Sequence, residues 1–260
     1  MTDAPWYSTL PAVSELPFRF LPGARRDVLV VCDHAGNGIP AQFRGLGLTA
    51  ADCQRHIAWD PGAGGVAAEL ARQLDCPALL GVCSRLLVDL NRAPDDATLI
   101  LAESDNVFVP GNLTISDAER GSRVALYHAP YHARLDAHLD GLHAHTIHPT
   151  MVSVHSFNPS LAGIDRPWPV GVVWKLSREP VAPIIAHLQR GGWPVGDNHP
   201  YDGRTAMGWT LEWHAIRRGL PHVMFELRND GVADPASQQA WGRRLARALL
   251  DTGFIAAKPA

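Results

Sequence analysis

The sequence predicts an α/β fold with a largely parallel central sheet. Short apolar runs bounded by turn formers recur along the chain, helical segments alternate with them, and three of the runs end in side chains capable of chemistry. Strands that alternate with helices usually pair in parallel. A chain of 260 residues with 46% hydrophobic content is long enough for one large core, so we predict a single domain over residues 1–260.

The predicted strands are runs of β-branched and large apolar residues between Gly, Pro, Asn or Asp. They lie at residues 27–33, 78–82, 86–90, 151–155, 170–174 and 223–227. The first ends in Asp33-His34, the fourth in His155 and the last near Glu226. Because ligands bind at the carboxyl ends of strands in open α/β sheets, we expect His34, His155 and Glu226 to converge on one crevice.

Helices are predicted where apolar residues recur at helical spacing or a capping pattern opens a segment. They lie at residues 62–74, 116 to about 145, 180–189, 210–218 and 235–251. The apolar faces of the first and last are formed by Val66, Leu70 and Leu74, and by Ala240, Leu245 and Leu249. The S-x-x-E pattern from Ser116 to Glu119 is a capping box, and Pro130 should kink or divide the helix that it opens.

Three segments rich in proline, glycine and other turn formers are predicted to be irregular. They are residues 1–26, which should wrap the surface, and the long loops at 93–115 and 194–208. Long loops in compact domains are usually functional.

Composition excludes several classes of protein. The net charge of −3 and the lack of a basic stripe remove the main reason to expect nucleic acid, so a small molecule is the expected partner. No apolar stretch approaches the roughly 18 residues of a membrane helix. The four cysteines form no C-x-x-C pair and are expected to be reduced, and the N-terminus has no secretory pattern, so we expect a cytoplasmic protein.

His34 and His155 are the first candidates for metal ligands. Each follows an apolar strand and precedes small or polar residues, but either can also be a hydrogen-bonded structural histidine. The chain lacks the H-E-x-x-H pattern, so a metal site must be assembled from distant segments. Zinc bound by three side chains leaves one position for water and lowers the pKa of that water to about 7.

Carboxylates complete the candidate site. Asp60, in His56-Ile-Ala-Trp-Asp60-Pro, is the favoured third ligand, although an Asp before a Pro can instead cap the following helix. Glu226 ends a buried strand, where desolvation would raise its pKa into the range of a general base, unless it pairs with Arg228. Asp33 can orient a neighbouring histidine.

The segment from Ser84 to Arg92 predicts an acidic substrate. Its two arginines can bind carboxylates through a bidentate fork while Asn91 orients the ligand; alternatively, they pair with acids of the protein such as Asp89. His132 can also face the cleft. The candidate substrate-binding residues are Arg85, Asn91, Arg92, His132 and Arg228.

Seven segments, taken in order, resemble the N-formylglutamate amidohydrolase family from about residue 27 to residue 250. They are Asp33-His34-Ala-Gly-Asn-Gly-Ile-Pro40, Trp59-Asp60, Ser84-Arg85-Leu-Leu-Val-Asp-Leu-Asn91-Arg92, Tyr131-His132, Val154-His155-Ser156-Phe157, Gly196-Asp197-Asn198-His-Pro200-Tyr201 and Phe225-Glu226-Leu-Arg228. That family is similar to the zinc carboxypeptidases and aspartoacylase. The resemblance implies a three-layer α/β/α architecture with a mixed, largely parallel central sheet, like the zinc exopeptidase fold.

The resemblance also implies residue roles. Asn91 and Arg92 would take a substrate carboxylate, His34 and His155 would bind the metal, and Glu226 would be the catalytic carboxylate. The carboxypeptidase relatives have a metal-binding Glu three residues after the first His, where this chain has Asn37. Either Asp60 supplies the missing carboxylate or metal affinity is weakened, and we favour Asp60.

The expected activity is therefore metal-dependent, and by preference zinc-dependent, hydrolysis of the N-formyl or N-acyl amide of an acidic amino acid such as N-formylglutamate. One alternative is a peptidase or deacylase acting on a larger amide. Another is a binding protein that kept the pocket and lost catalysis. The sequence does not specify the acyl group, the metal or the oligomeric state.

Overall fold

A seven-stranded mixed sheet forms the centre of the molecule. The computed structural model describes residues 16–257. In chain order, the strands of this sheet are β1 (Phe18–Leu21), β2 (Val28–Cys32), β3 (Ala78–Gly81), β4 (Thr150–Phe157), β5 (Val170–Val173), β6 (Val195–Asp197) and β7 (His222–Arg228). Across the sheet their order is β1, β3, β2, β4, β7, β5, β6.

The four central strands run in the same direction. Parallel pairing joins β3 to β2, β2 to β4 and β4 to β7, whereas β1 and β5 are antiparallel to β3 and β7. β6 pairs with β5 in parallel. Every residue of β2, β3 and β4 is buried, as expected for strands covered on both faces. The carboxyl ends of β2, β4 and β7 therefore meet at one edge.

Helices cover both faces of the sheet. They are α1 (Ala63–Leu74), α2 (Asp117–Arg123), α3 (Ala129–His143), α4 (Ala182–Arg190), α5 (Trp209–Leu211) and α6 (Pro235–Asp251). One core combines α1, α4 and α6 with sheet residues such as Val152 and Phe225. The other combines α3 and α5 with sheet residues such as Met151 and Met224. These two cores confirm the predicted three-layer α/β/α architecture.

The connecting segments contain short hairpins and 3₁₀-helices. Two hairpins pair Glu103–Ser104 with Val107–Phe108 and Ser160–Leu161 with Ile164–Asp165. The 3₁₀-helices are Ala41–Gly47, Asp52–Gln54, Pro110–Asn112 and Asn229–Val232. Among residues 16–257, none of the helices combines the length and the apolar character required to span a bilayer.

The prediction of a strand at residues 86–90 is wrong. This buried segment forms turns, in which the N–H of Leu87 donates to the carbonyl of Ser84 at 2.9 Å. A continuous apolar run cannot by itself distinguish a strand from another buried segment. Two strands were missed, namely β1 in the segment predicted to be irregular and β6 in the predicted loop at 194–208. Residues 1–15 of the first segment lie outside the described residues.

The predicted helix from residue 116 is divided, as Pro130 suggested. Ser116 caps α2 by accepting a hydrogen bond from the N–H of Glu119 at 3.2 Å. A π-helical turn at Val124–His128 then separates α2 from α3, with Pro130 in the first turn of α3. In α6, Leu245 and Leu249 are buried as predicted, but Ala240 is only half-buried because Trp241 occupies the inward position.

Candidate metal centre and active site

Three adjacent strands bring the predicted catalytic side chains together. In the pairing of β7 with β4, Glu226 stands directly opposite His155. His34 follows β2, which is the other neighbour of β4. Because side chains alternate along a strand, His155 and Glu226 share the face of Met151 and Met224, which is the α3 side of the sheet. The predicted crevice therefore lies at this edge, beneath α3.

His34, Asp60 and His155 form a buried cluster whose potential ligand atoms lie within 4.8 Å of one another. The turn before α1 brings Asp60 to the two histidines, and its N–H donates to the carbonyl of His34 at 2.9 Å. The Asp60 carboxylate does not cap α1, because Gly62 is the N-cap residue and no side chain caps this helix. Asn37 is held elsewhere by a 2.7 Å hydrogen bond to the carbonyl of Cys53.

Two further carboxylates orient the histidine rings. His34 Nε2 donates to Asp89 Oδ1 at 2.7 Å, and His155 Nε2 lies 3.3 Å from Asp33 Oδ2. The Nδ1 atoms of both rings then face Asp60, at 3.5 Å for His34 and 2.8 Å for His155. Histidines that bind metals almost always have their second nitrogen held in this way.

The donor set fits a divalent metal such as zinc. Two imidazole nitrogens and one carboxylate oxygen are a common zinc ligand set. Within residues 16–257, Nδ1 of His34 is buried and has no hydrogen-bond partner. Since buried polar atoms are rarely left unsatisfied, this atom points to a ligand at the cluster.

The electrostatics of the cluster favour a cation. Burial alone would raise the pKa of Asp60, but Arg85 and the hydrogen bonds from the histidines hold it well below its usual value. Burial likewise opposes charge on His155, yet its contacts with Asp33 and Asp60 raise the pKa of this imidazole well above its usual value. The carboxylates therefore stabilise positive charge on the His155 ring.

Glu226 differs from the other carboxylates of the site. It is only 5% exposed, and its Oε2 atom has no hydrogen-bond partner. Burial raises the pKa of Glu226 to about 7; the charge of His155 opposes this shift and that of Asp60 adds to it. The alternative pairing with Arg228 is absent, because the Arg228 Nε atom donates to Asp230 at 2.8 Å. Glu226 is thus suited to exchange a proton near neutral pH.

A cavity of about 300 Å³ opens beside these side chains. His34, Asp60, His155 and Glu226 line it, together with residues of three loops: His56, Arg85, Asp89, Asn91, Arg92, Tyr201, Asp202, Thr205, Ala206, Met207 and Gly208. The predicted loop at 194–208 therefore forms one wall. Cavities of this size suit a small molecule.

Three of the predicted substrate-binding residues line this cavity. Arg85 forms an ion pair with Asp60, but its Nε atom is buried without a partner. Asn91 accepts a hydrogen bond from the N–H of Thr210 at 3.0 Å. Arg92 is exposed. This wall therefore presents guanidinium and amide donors, which bind carboxylates.

The structure does not bring the other two, His132 and Arg228, into the cavity lining. His132 is held between His214 and the carbonyl of Leu90, both at 2.9 Å. Arg228 contacts Asp230 and the carbonyls of Arg166 and Pro167.

His56 and Tyr201 are among the cavity residues that sequence reasoning did not single out. His56 lies 3.2 Å from Asp60. Its position four residues before Asp60 is the feature of the sequence that could have indicated this contact. Tyr201 was noted only as part of a loop motif. No periodic or spacing signal could have indicated that this phenol reaches the cavity.

Comparisons with known proteins establish the family and the fold of this chain. A search of curated proteins found no match. A solved structure of a gene product from Agrobacterium tumefaciens is 30% identical, with a TM-score of 0.86 over 92% of this chain and 95% of that chain. An N-formylglutamate amidohydrolase from Ralstonia eutropha shares the fold, at 19% identity and a TM-score of 0.69 over 92% of this chain and 97% of that chain. The family model of N-formylglutamate amidohydrolase matches residues 26–233, so the chain belongs to this family of hydrolases.

Proposed function

We propose that this protein is a metal-dependent amidohydrolase that cleaves the N-formyl, or another small N-acyl, amide of an acidic amino acid such as N-formylglutamate. The products would be formate and the free amine. The observation that carries this proposal is the placement of the buried His34, Asp60 and His155 cluster beside Glu226 on one small cavity.

His34, Asp60 and His155 would hold the metal. Asp89 and Asp33 would fix the two rings from behind, since each carboxylate faces an Nε2 atom. When bound, zinc or a similar divalent ion would supply Lewis-acid polarisation of the amide carbonyl and activation of water. Arg85, paired with Asp60, would fix the orientation of that carboxylate.

Glu226 would act first as the general base and then as the general acid. As a carboxylate it would accept a proton from the attacking water, and as the acid it would return that proton to the nitrogen of the breaking C–N bond. A pKa of about 7 makes both forms accessible at neutral pH. Water thereby adds across the amide, giving the acid and the amine.

Asn91 and Arg92 would bind the substrate carboxylate beside the amide, with Arg85 Nε as a further donor. Bidentate contacts of this kind fix the orientation of a small substrate. The cavity volume of about 300 Å³ favours a small amide over the larger amide of a peptidase or deacylase.

The experiment combines metal analysis with a formate-release assay. Protein purified without chelator should contain about one divalent metal ion per chain, lose activity on N-formylglutamate after chelation, and regain it with zinc. Glu226→Gln should lower kcat by about 10³-fold or more while retaining the metal, because the amide cannot accept the proton. Glu179→Gln is the matched control, since Glu179 is exposed and lies outside the cavity lining.

The outcomes separate the alternatives. Absence of metal, together with no rescue by added zinc, would refute metal dependence. Greater activity on N-acetyl or peptidyl glutamate than on N-formylglutamate would indicate the larger-amide enzyme. A protein that binds N-formylglutamate and never releases formate would be a binding protein.

A further inference from the structure

Arg166 is a buried cation without an ion pair. The residue is only 9% exposed. Its guanidinium lies 5.8 Å from the ring centre of Phe157 and 5.0 Å from that of Tyr201. Within residues 16–257, no carboxylate lies within ion-pair distance of it. A buried charge is costly unless it is paired, so Arg166 lacks the anion that such a position normally requires.

Tyr201 connects Arg166 to the active-site cavity. Arg166 Nη1 donates to the Tyr201 hydroxyl oxygen at 3.4 Å, and Tyr201 lines the cavity. Because the phenol oxygen accepts from Arg166, its own O–H remains free to donate to another group. Burial raises the pKa of Tyr201, and the charges of Glu226 and Asp60 add to this shift.

The main chain holds Arg166 in this position. Its N–H donates to the carbonyl of Pro159 at 2.8 Å, and its own carbonyl accepts a hydrogen bond from Arg228 at 3.4 Å. Arg228 lies two residues after Glu226 on the same strand. The strand that carries the proposed proton carrier therefore also supports Arg166.

Two cations in and behind the cavity have no ion pair in the described part of the chain. Arg85 is already paired with Asp60. Arg92 lines the cavity and Arg166 lies behind Tyr201, and neither has a carboxylate partner among the described residues. A substrate with two carboxylates would satisfy both cations, whereas a monocarboxylate would leave one without a partner.

We propose that Tyr201 and Arg166 form the subsite for the second, side-chain carboxylate of an N-acyl dicarboxylic amino acid. The Tyr201 hydroxyl donates a hydrogen bond to this carboxylate, and Arg166 supplies the compensating charge from behind the phenol. The inference rests on the proposed function, and it assigns selection of acidic over neutral side chains to these two residues.

The test compares N-formylglutamate with N-formylglutamine, which has the same shape without the side-chain charge. The native enzyme should favour N-formylglutamate in kcat/KM by about 10- to 100-fold, the range expected for a hydrogen bond to a charged group. Arg166→Met and Tyr201→Phe should each reduce this ratio about tenfold or more. Arg134→Met is the matched control, because Arg134 lies 4.0 Å from the Phe20 ring centre and does not line this cavity.

A second readout is independent of turnover. Calorimetric titration with glutamate and glutamine, using protein loaded with zinc, should give the same loss of discrimination in both variants. Arg166→Lys retains the charge and should keep part of the selectivity if Arg166→Met proves unstable. Selectivity that is unchanged in both variants, or native protein that does not distinguish the acid from the amide, would overturn the inference.

The outcomes also separate this inference from the proposed function. An equal loss of kcat on both substrates in Tyr201→Phe, with the ratio preserved, would assign the phenol to the reacting carbonyl and overturn the subsite. Protein that binds glutamate selectively through Arg166 and releases no formate would retain the subsite and refute the hydrolase.

Discussion

His34 Nε2 and Asp89 Oδ1 are 2.7 Å apart, and this contact turns Nδ1 of His34 toward Asp60. Asp89 lies in the buried turn segment that follows β3, just before Asn91. The same Oδ1 atom accepts a hydrogen bond from the N–H of Asn91 at 2.8 Å. One carboxylate therefore orients a candidate metal ligand and a candidate substrate-binding residue together.

Asp89→Asn should weaken zinc binding about 10- to 100-fold, the usual effect of removing a carboxylate that supports a ligand histidine. Asparagine keeps an oxygen for the Asn91 N–H but loses the negative charge that favours a proton on Nε2 of His34. Competition with a chromogenic chelator measures the affinity. Asp95→Asn is the control, because Asp95 is exposed. An Asp89→Asn affinity within about threefold of the native value would contradict an orienting role.

Tyr131→Phe should lower the free energy of unfolding by about 1.5–3 kcal/mol, because it removes a hydrogen bond to a buried carboxylate. The Tyr131 hydroxyl is fully buried and donates to Asp33 Oδ1 at 2.7 Å. In Tyr127→Phe the lost contact is only a 3.4 Å bond with Gln42, so the cost should be below about 1 kcal/mol. Urea denaturation of the metal-free proteins compares the two, and equal losses would show that Asp33 does not depend on Tyr131.

The fold could be predicted from sequence because its signals are local. The strands ending in Asp33-His34, His155 and Glu226 are short apolar runs with clear boundaries, and parallel pairing brings such ends to one edge of a sheet. The segment at 86–90 misled the prediction because burial, and not strand pairing, makes it apolar. Its turns place Asp89 and Asn91, which strand geometry could not have done.

The parts of the site that the sequence did not reveal depend on tertiary contacts. Asp60 was favoured as a ligand, but the turn of the chain that brings it to both histidines is specified by no spacing rule. His132 was a candidate cleft residue because it belongs to a polar cluster in the predicted helix, but the structure turns it toward Leu90 and His214. Arg166, which follows a small hairpin, offered no sequence pattern at all.

His132 should make stability fall in mild acid. Burial lowers the pKa of His132 to about 3, with help from the neighbouring His128 and His214, while an unfolded histidine titrates near 6.5. Below pH 6.5 the unfolded chain therefore binds a proton that the folded chain does not. This difference removes up to about 1.4 kcal/mol of stability per pH unit between pH 6 and pH 4, and has no effect above pH 7.

The comparison with His132→Gln isolates this contribution. The native free energy of unfolding, measured in urea at pH 7, 6, 5 and 4, should decline more steeply than that of the variant. All other titrating groups are common to the two proteins, so the difference in slope belongs to His132. The exposed His145, changed to Gln, should leave the slope unaltered. Parallel curves for native protein and His132→Gln would show that His132 is already charged in the fold.

Gly208→Ala should weaken binding of the substrate carboxylate, because it should displace the Asn91 side chain. Gly208 has a φ of +83°, and a Cβ atom there would lie 2.4 Å from Asn91 Nδ2. The added methyl group must push the Asn91 amide out of place, and misplacement of a positioning residue by about 1 Å costs about 10²-fold in kcat/KM. We expect the loss for N-formylglutamate to appear mainly in KM, since Asn91 would contact the carboxylate and not the breaking bond.

Gly219→Ala separates this effect from backbone strain. Gly219 has a similar φ of +68°, but nothing lies within 4 Å of the position its Cβ would take. Gly219→Ala should lose about 1 kcal/mol of stability from its positive φ. Gly208→Ala should lose about 1–3 kcal/mol, because its φ of +83° is combined with a ψ of 147°, and only Gly208→Ala should lose activity. Steady-state kinetics on N-formylglutamate measure the loss of activity, and melting curves measure the loss of stability of each variant. If the two variants lose activity equally, the defect comes from the strained backbone, and Asn91 does not bind the substrate carboxylate.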